Sequence, residues 1–160
     1  MDPMAGRTLL RPPGALAEEE FLATCYRCGS CAESCPADAI WLLPQGPNPK
    51  AGTPCIDANL AACVVCEGLQ CTQVCPSGAL RRLEDPSQIR MGLARVLADD
   101  CVRTAGQDCT ICVDRCPLGS SALRLGEADL PEVLSDGCVG CGICQLYCPT
   151  TPKAIVVEPL

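Results

Sequence analysis

The chain contains no histidine in its 160 residues. That single absence removes both the commonest general base and the imidazole metal ligand. Aromatic residues are nearly as scarce, at 2%, and are limited to Phe21, Tyr26, Trp41 and Tyr147. No stretch approaches the ~20 consecutive apolar residues of a membrane-spanning helix. A glycine-rich nucleotide fingerprint and a phosphate loop are also missing. Together these absences argue against an enzyme with an active site of its own. Positive charge is in deficit: 12 Lys and Arg against 19 Asp and Glu give a net charge of −7. Nucleic acid and anionic membrane surfaces are therefore poor partners, and a protein with a basic docking face is a better one. The same acidity also serves plain solubility.

What the chain does have is cysteine, seventeen of them, far above ordinary usage. They inflate the hydrophobic fraction of 48%, and without them few large side chains remain to build a core. Something other than side-chain packing must hold the fold. A disulfide scaffold would be shorter, with more evenly spread cysteines. The odd count and the tight Cys-x-x-Cys repeats speak against it.

Aligning the Cys-Pro dipeptides divides the chain into four blocks. Block one is "CYRCGSCAESCP", with Cys25, Cys28, Cys31 and Cys35; block two is "CVVCEGLQCTQVCP", with Cys63, Cys66, Cys71 and Cys75. Block three carries Cys109, Cys112 and Cys116; block four is "CVGCGICQLYCP", with Cys138, Cys141, Cys144 and Cys148. After each Cys-Pro come a few small or polar residues and then a short apolar run: "ADAIWLL", "SGALRRL", "LGSSALRL" and "TTPKAIVVE". Each run reads as a short strand. Each stretch from third cysteine to Cys-Pro reads as a turn or two of helix, stopped by the proline. One unit is thus a loop, a short helix and a short strand.

The spacing fits a [4Fe–4S] cubane. Two-residue gaps wrap the backbone round a cube so that three thiolates reach three irons. The fourth cysteine, three residues further on, leaves in a new direction and in two-cluster ferredoxins ligates the neighbouring cluster. Gly29, Gly140 and Gly142 stand where so tight a loop needs permissive dihedrals. Zinc ribbons also use Cys-x-x-Cys pairs, but need neither the third cysteine nor the Cys-Pro. Block two widens one gap to "EGLQ". Block three lacks a first cysteine, which Cys101 can supply across the seven-residue loop "VRTAGQD" at modest closure entropy. The alternative there is a three-iron cluster with an empty corner. Four blocks of four leave Cys55 over, read as a buried free thiol, with substitution for a block-two ligand as the alternative.

Outside the blocks, 43–54 ("LPQGPNPKAGTP") reads as a proline-glycine surface loop. Segment 86–100 places Ile89, Leu93, Val96 and Leu97 on one helical face. Segment 15–24 reads as a short amphipathic helix whose acidic run, Glu18 to Glu20, is a solvated face.

The stretches "RPPGALAEEEFLATCYRCGSCAESCP" (Arg11 to Pro36), "TPC" (Thr53 to Cys55) and Cys101 to Pro117 carry a family resemblance. The chain resembles the polyferredoxin subunits that accompany molybdenum and tungsten oxidoreductases, among them the ferredoxin-type subunits of the periplasmic nitrate reductase and methylamine dehydrogenase systems. The resemblance implies a small, loop-rich α+β fold with two nested ferredoxin-like two-cluster modules organised around four iron–sulfur clusters. Residues 1–50 and 118–160 would form the outer module and 51–117 the inner. Carried over, Cys25, Cys28, Cys31 and Cys148 hold one cluster, and Cys138, Cys141, Cys144 and Cys35 its partner. Cys63, Cys66, Cys71 and Cys116 hold a third; Cys101, Cys109, Cys112 and Cys75 the fourth. Pairing in sequence order, one with two and three with four, is the alternative. The implied function is a non-catalytic relay of single electrons between a molybdenum- or tungsten-pterin subunit and a flavin- or quinone-linked partner. A self-stacking filament and a free soluble carrier are the alternatives. Those relatives are exported by a twin-arginine signal, and no adjacent arginine pair stands in the first twenty residues. The expected location is therefore cytoplasmic, as for the electron-transfer subunit of tungsten-dependent aldehyde oxidoreductases, with the periplasm as the alternative if an export signal is missing from the sequence.

Overall fold

A computed structural model describes residues 6–160; expectations for the first five residues fall outside the described part. The elements are few and short, as expected of a small α+β fold. Helix α1 spans Glu18–Thr24, α2 Ser30–Ser34, α3 Gln70–Gln73, α4 Ile111–Arg115 and α5 Ile143–Tyr147. Strands β1 (Trp41–Leu42) and β2 (Pro54–Cys55) pair antiparallel, as do β3 (Gly92–Val96) with β6 (Ile155–Pro159), and β4 (Leu123–Leu125) with β5 (Pro131–Val133).

Helices α2 to α5 each contain a block's third cysteine and stop beside its Cys-Pro. Cys35, Cys116 and Cys148 close their helices with ψ of 114°, 118° and 124°. That is the extended backbone a following proline imposes. Each donates its N–H three residues back, to the carbonyls of Ala32, Val113 and Gln145. Helices of four or five residues do not stand alone in water. They are held by each other, α2 packed on α3 and α4 on α5.

Those pairings divide the chain in sequence order. Strands β1 and β2 and helices α2 and α3 lie before residue 86; β3 to β6, α4 and α5 lie after it. The nested division, 1–50 with 118–160 around 51–117, is not the one these contacts draw. The halves meet where Cys63 N–H donates to the Cys141 carbonyl (3.0 Å), and within the second half Met91 N–H donates to the Val139 carbonyl (3.1 Å).

Three further expectations change. Segment 86–100 is not a helix but a 3₁₀ turn (Pro86–Gln88) followed by β3. Its apolar residues read with helical period, yet β6 offers an unpaired apolar edge, and Gly92 lets the two backbones close. A Cβ on Gly92 would lie 2.4 Å from the Glu158 carbonyl oxygen. Ladder formation overrides the local pattern. "SGALRRL" makes only an isolated bridge, Ala15 to Leu80. The 43–54 loop is exposed over most of its length but ends buried, Thr53 being 0% exposed.

Arg11 explains that burial. Its guanidinium donates to Thr53 Oγ1 and the Pro54 carbonyl (both 2.8 Å), and to both Glu18 carboxylate oxygens (2.9 and 2.7 Å). It also lies 4.6 Å from the centre of the Phe21 ring. Glu18 is thus the anchor of the N-terminal segment, not a purely solvated charge. The Arg11 hydrogen bonds hold its carboxyl below the ordinary range. Phe21, Leu10, Ile56 and Ile89 are fully buried and form the small apolar centre.

Candidate iron–sulfur sites

The thiols collect in four groups. Site 1 is a small open hollow bounded by Cys25, Cys28, Cys31 and Cys75. Site 3 is bounded likewise by Cys116, Cys138, Cys141 and Cys144, and site 4 by Cys101, Cys109, Cys112 and Cys148. Site 2 gathers Cys63, Cys66, Cys71 and Cys35. Burial pushes the Cys71 thiol up to about 12, with Cys63, Cys66, Cys31 and Cys35 raising it further. In every group three thiols come from one block and the fourth from the neighbouring block's Cys-Pro. The neighbours pair in sequence order, block one with block two and block three with block four. The nested sets are therefore corrected: Cys25, Cys28 and Cys31 meet Cys75 and not Cys148, and Cys138, Cys141 and Cys144 meet Cys116 and not Cys35. Likewise Cys63, Cys66 and Cys71 meet Cys35 and not Cys116, and Cys101, Cys109 and Cys112 meet Cys148 and not Cys75. Cys101 stands with block three.

The loops are bent to aim amides at sulfur. Arg27 and Val65, each two residues after a block's first cysteine, have φ of 58° and 51°. For a β-branched valine this left-handed backbone is strained. It lets the Arg27 and Val65 N–H groups donate to Cys25 Sγ and Cys63 Sγ, each at 3.4 Å. Gly140 fills the same place in block four with φ 75°, and Gly29 and Gly142 precede their helices with φ 81° and 88°. These are the three glycines the sequence singles out. Beyond the loops, Ala39 N–H donates to Cys35 Sγ and Leu80 N–H to Cys75 Sγ (3.4 Å each), and Ala94 N–H to Cys138 Sγ (3.5 Å).

Hydroxyls supplement the amides at some sites only. Ser30 Oγ lies 3.4 Å from Cys28 Sγ, Ser77 Oγ 3.6 Å from Cys75 Sγ, and Thr150 Oγ1 3.2 Å from Cys148 Sγ. The Ser30 hydroxyl holds the Cys28 thiol below its ordinary range. At Cys75 and Cys148 burial pushes upward, but amide and hydroxyl donors outweigh it and leave both thiols lowered. Elsewhere burial prevails: Cys31, Cys63 and Cys112 rise to about 11, and Cys141 to about 12. The serines and Thr150 went unnoticed in the sequence. Their signal is position, two residues beyond a cysteine.

The donor set suits a cubane: four thiols per site, round a hollow at sites 1, 3 and 4, with amide donors on sulfur at sites 1, 2 and 3. Among the described residues no three His, Cys, Asp or Glu groups converge as a single ion requires. Cys55 is buried on β2 beside Leu10, Arg11 and Met91, apart from all four groups.

A 4Fe-4S dicluster domain matches residues 24–79, which span sites 1 and 2 and no others. The chain is 40% identical to the methylamine utilization ferredoxin-type protein MauM of Methylobacillus flagellatus, over 98% of this chain and 71% of that protein. It is 42% identical to the ferredoxin-type protein NapG of Escherichia coli, over 94% of this chain and 71% of the relative. The chain belongs to the MauM/NapG family of ferredoxin-type proteins. A further ferredoxin-type protein of Escherichia coli, NapF, is 30% identical over 94% of this chain and 85% of its own length. As a MauM/NapG protein, the chain binds [4Fe–4S] clusters and carries electrons; it is not an enzyme. Among the described residues no helix is long and apolar enough to cross a membrane.

Proposed function

We propose that the chain relays single electrons through four [4Fe–4S] clusters, one per site, between a molybdenum- or tungsten-pterin oxidoreductase subunit and a second, flavin- or quinone-linked partner. A bound cubane supplies one-electron chemistry with little structural rearrangement. The protein supplies the row. Cys35 and Cys75 are exchanged between sites 1 and 2, and Cys116 and Cys148 between sites 3 and 4. The observation that carries the reading is the middle of the molecule: Cys63 of site 2 donates its N–H to the carbonyl of Cys141 of site 3 at 3.0 Å. The order 1–2–3–4 is then continuous, with sites 1 and 4 as its ends. The partner assignment is supported by the resemblance of the cysteine blocks and the Arg11 to Pro36 stretch to polyferredoxin subunits of molybdenum and tungsten oxidoreductases, and by the net charge of −7, which suits a basic docking face.

Anaerobic iron and sulfide quantitation with electron paramagnetic resonance tests the cluster count. About sixteen irons per chain are expected. About fifteen, with a signal in the oxidised state, would identify a three-iron centre at site 4. Zinc in place of iron would overturn the function. Anaerobic purification from native cells tests the partner: co-elution with a pterin-containing subunit is expected, and elution as a free carrier would refute the dedicated relay.

A further inference from the structure

Amide N–H groups bond to sulfur at sites 1, 2 and 3, while hydroxyls and cations divide the four sites differently. The residue two beyond each Cys-Pro cysteine is Ser77 at site 1 and Thr150 at site 4, but Ala37 at site 2 and Leu118 at site 3. The two hydroxyl oxygens accept backbone N–H groups, Ala79 to Ser77 Oγ (3.3 Å) and Ala154 to Thr150 Oγ1 (2.9 Å). Each hydroxyl proton is thereby left for the sulfur. A cluster-bound thiolate only accepts, so the hydroxyl must be the donor. Site 1 gains a second hydroxyl from Ser30, against the exposed thiol of Cys28.

Cations follow the same division. Arg27 donates to the carbonyl of Cys25 at site 1 (3.2 Å), and Lys153 to the carbonyl of Cys148 at site 4 (2.6 Å). Neither takes part in an ion pair among the described residues. Arg103 also reaches the Cys109 carbonyl at site 4, but it is paired with Asp108 and Asp129. Arg115 lies over the Tyr147 ring (4.0 Å) beside Cys116 and Cys148, so it serves sites 3 and 4 alike. Asp114, close to Cys112, is bonded to Thr110 and sets some negative charge against site 4. Reduction adds one negative charge to a site, and hydrogen-bond donors and cations at the sulfurs favour it.

We infer that the two end sites, 1 and 4, take the first two electrons, and that the inner sites 2 and 3 are filled last, with Ser30, Ser77 and Thr150 as the positioning residues that set this order. The row is then a pair of terminal electron wells across a less favourable middle. An electron delivered at one end rests there until the opposite partner draws it through, and the molecule holds two electrons at the two ends of the row. This rests on the four-cluster reading above.

The test is an anaerobic dithionite titration of the intact protein followed by electron paramagnetic resonance. The first two electrons per chain should give spectra of isolated cubanes, because sites 1 and 4 are separated by two unreduced neighbours. Spin–spin splitting should arrive with the third and fourth. Ser77→Ala and Thr150→Ala should each disfavour one early reduction three- to tenfold, tenfold being 59 mV for one electron. Ala37→Ser, which adds a hydroxyl at site 2, should favour one late reduction. Splitting present from the first two electrons, or titrations identical in all three variants, would overturn the order while sixteen irons left the four-cluster reading intact. An iron content far below sixteen would instead remove that reading, and the order with it.

Discussion

At the scale of single residues, Cys55 and Arg11 show what composition hides. Counting leaves Cys55 over but does not say why it is there. In the structure it is 1% exposed on β2, and burial pushes its thiol up to about 11. Several thiols within the four groups are raised as far, so what sets Cys55 aside is its place, apart from all four groups. Cys55→Ala should keep about sixteen irons and cost on the order of 1 kcal/mol in packing. Loss of four irons in that variant would make Cys55 a ligand after all. Arg11 was legible only as part of a family signature. Its role lies in a fork that reaches Glu18, Thr53 and Pro54 at once, and no local pattern announces three partners so far apart in sequence. Arg11→Lys keeps the charge and loses the fork. We expect a loss of about 1.5–3 kcal/mol, read as faster bleaching of the cluster absorbance in anaerobic denaturant, with iron content unchanged at rest. The Glu18 carboxyl, lowered by Arg11, gives stability that is present above its ordinary value of 4.5 and lost as pH falls through the folded value. Glu18→Gln should abolish that part of the acid dependence.

At the scale of elements, helices and strands were legible where covalent geometry dictates them and obscure where tertiary pairing does. The helices α2, α3, α4 and α5 follow from a third cysteine and a proline stop, and all four are present. The 86–100 segment carries four apolar residues at helical spacing and nevertheless becomes β3, because its partner β6 lies about sixty residues downstream. No window of the sequence contains both. The cysteine groups were legible as blocks, but which block completes which was not: any Cys-Pro can serve any loop until the chain's path is known. The shortness of the helices has a measurable consequence. Four or five residues fall below the length at which a helix pays its own nucleation cost, so α2 to α5 depend on what their cysteines hold. Removing iron with a strong chelator under anaerobic conditions should erase most of the far-ultraviolet helical signal together with the visible colour, in one transition. A chelated, colourless protein with its helical signal intact would show that packing alone suffices.

At the scale of the whole molecule, the question is what keeps two two-cluster halves in register. Sequence shows the repeat that makes the halves similar, but nothing in a repeat specifies how its copies meet. The structure places one buried side chain at that junction. Gln145, 7% exposed, donates from Nε2 to Asn59 Oδ1 of the first half (3.0 Å) and accepts at Oε1 from Val157 N–H in β6 (2.7 Å). Beside it, a Cβ on Gly142 would lie 2.8 Å from the Ala58 Cβ, so the surfaces are in close contact. Gln145→Leu keeps the bulk and leaves both the Val157 N–H and the Asn59 oxygen unpartnered, at a cost of about 1–3 kcal/mol. Because Gln145 lies between Cys144 and the junction, the strain should appear first where the halves touch. Hydrogen exchange should quicken at the Val157 and Cys63 amides, whose bonds to Gln145 and Cys141 hold the junction, while iron content stays unchanged. Asn59→Ala separates the two bonds: it removes the link between halves and leaves the Val157 bond in place, so exchange should quicken at Cys63 alone. If Cys63 remains protected in both variants, the halves are held by the backbone contact at Cys141, and the glutamine serves only its own half.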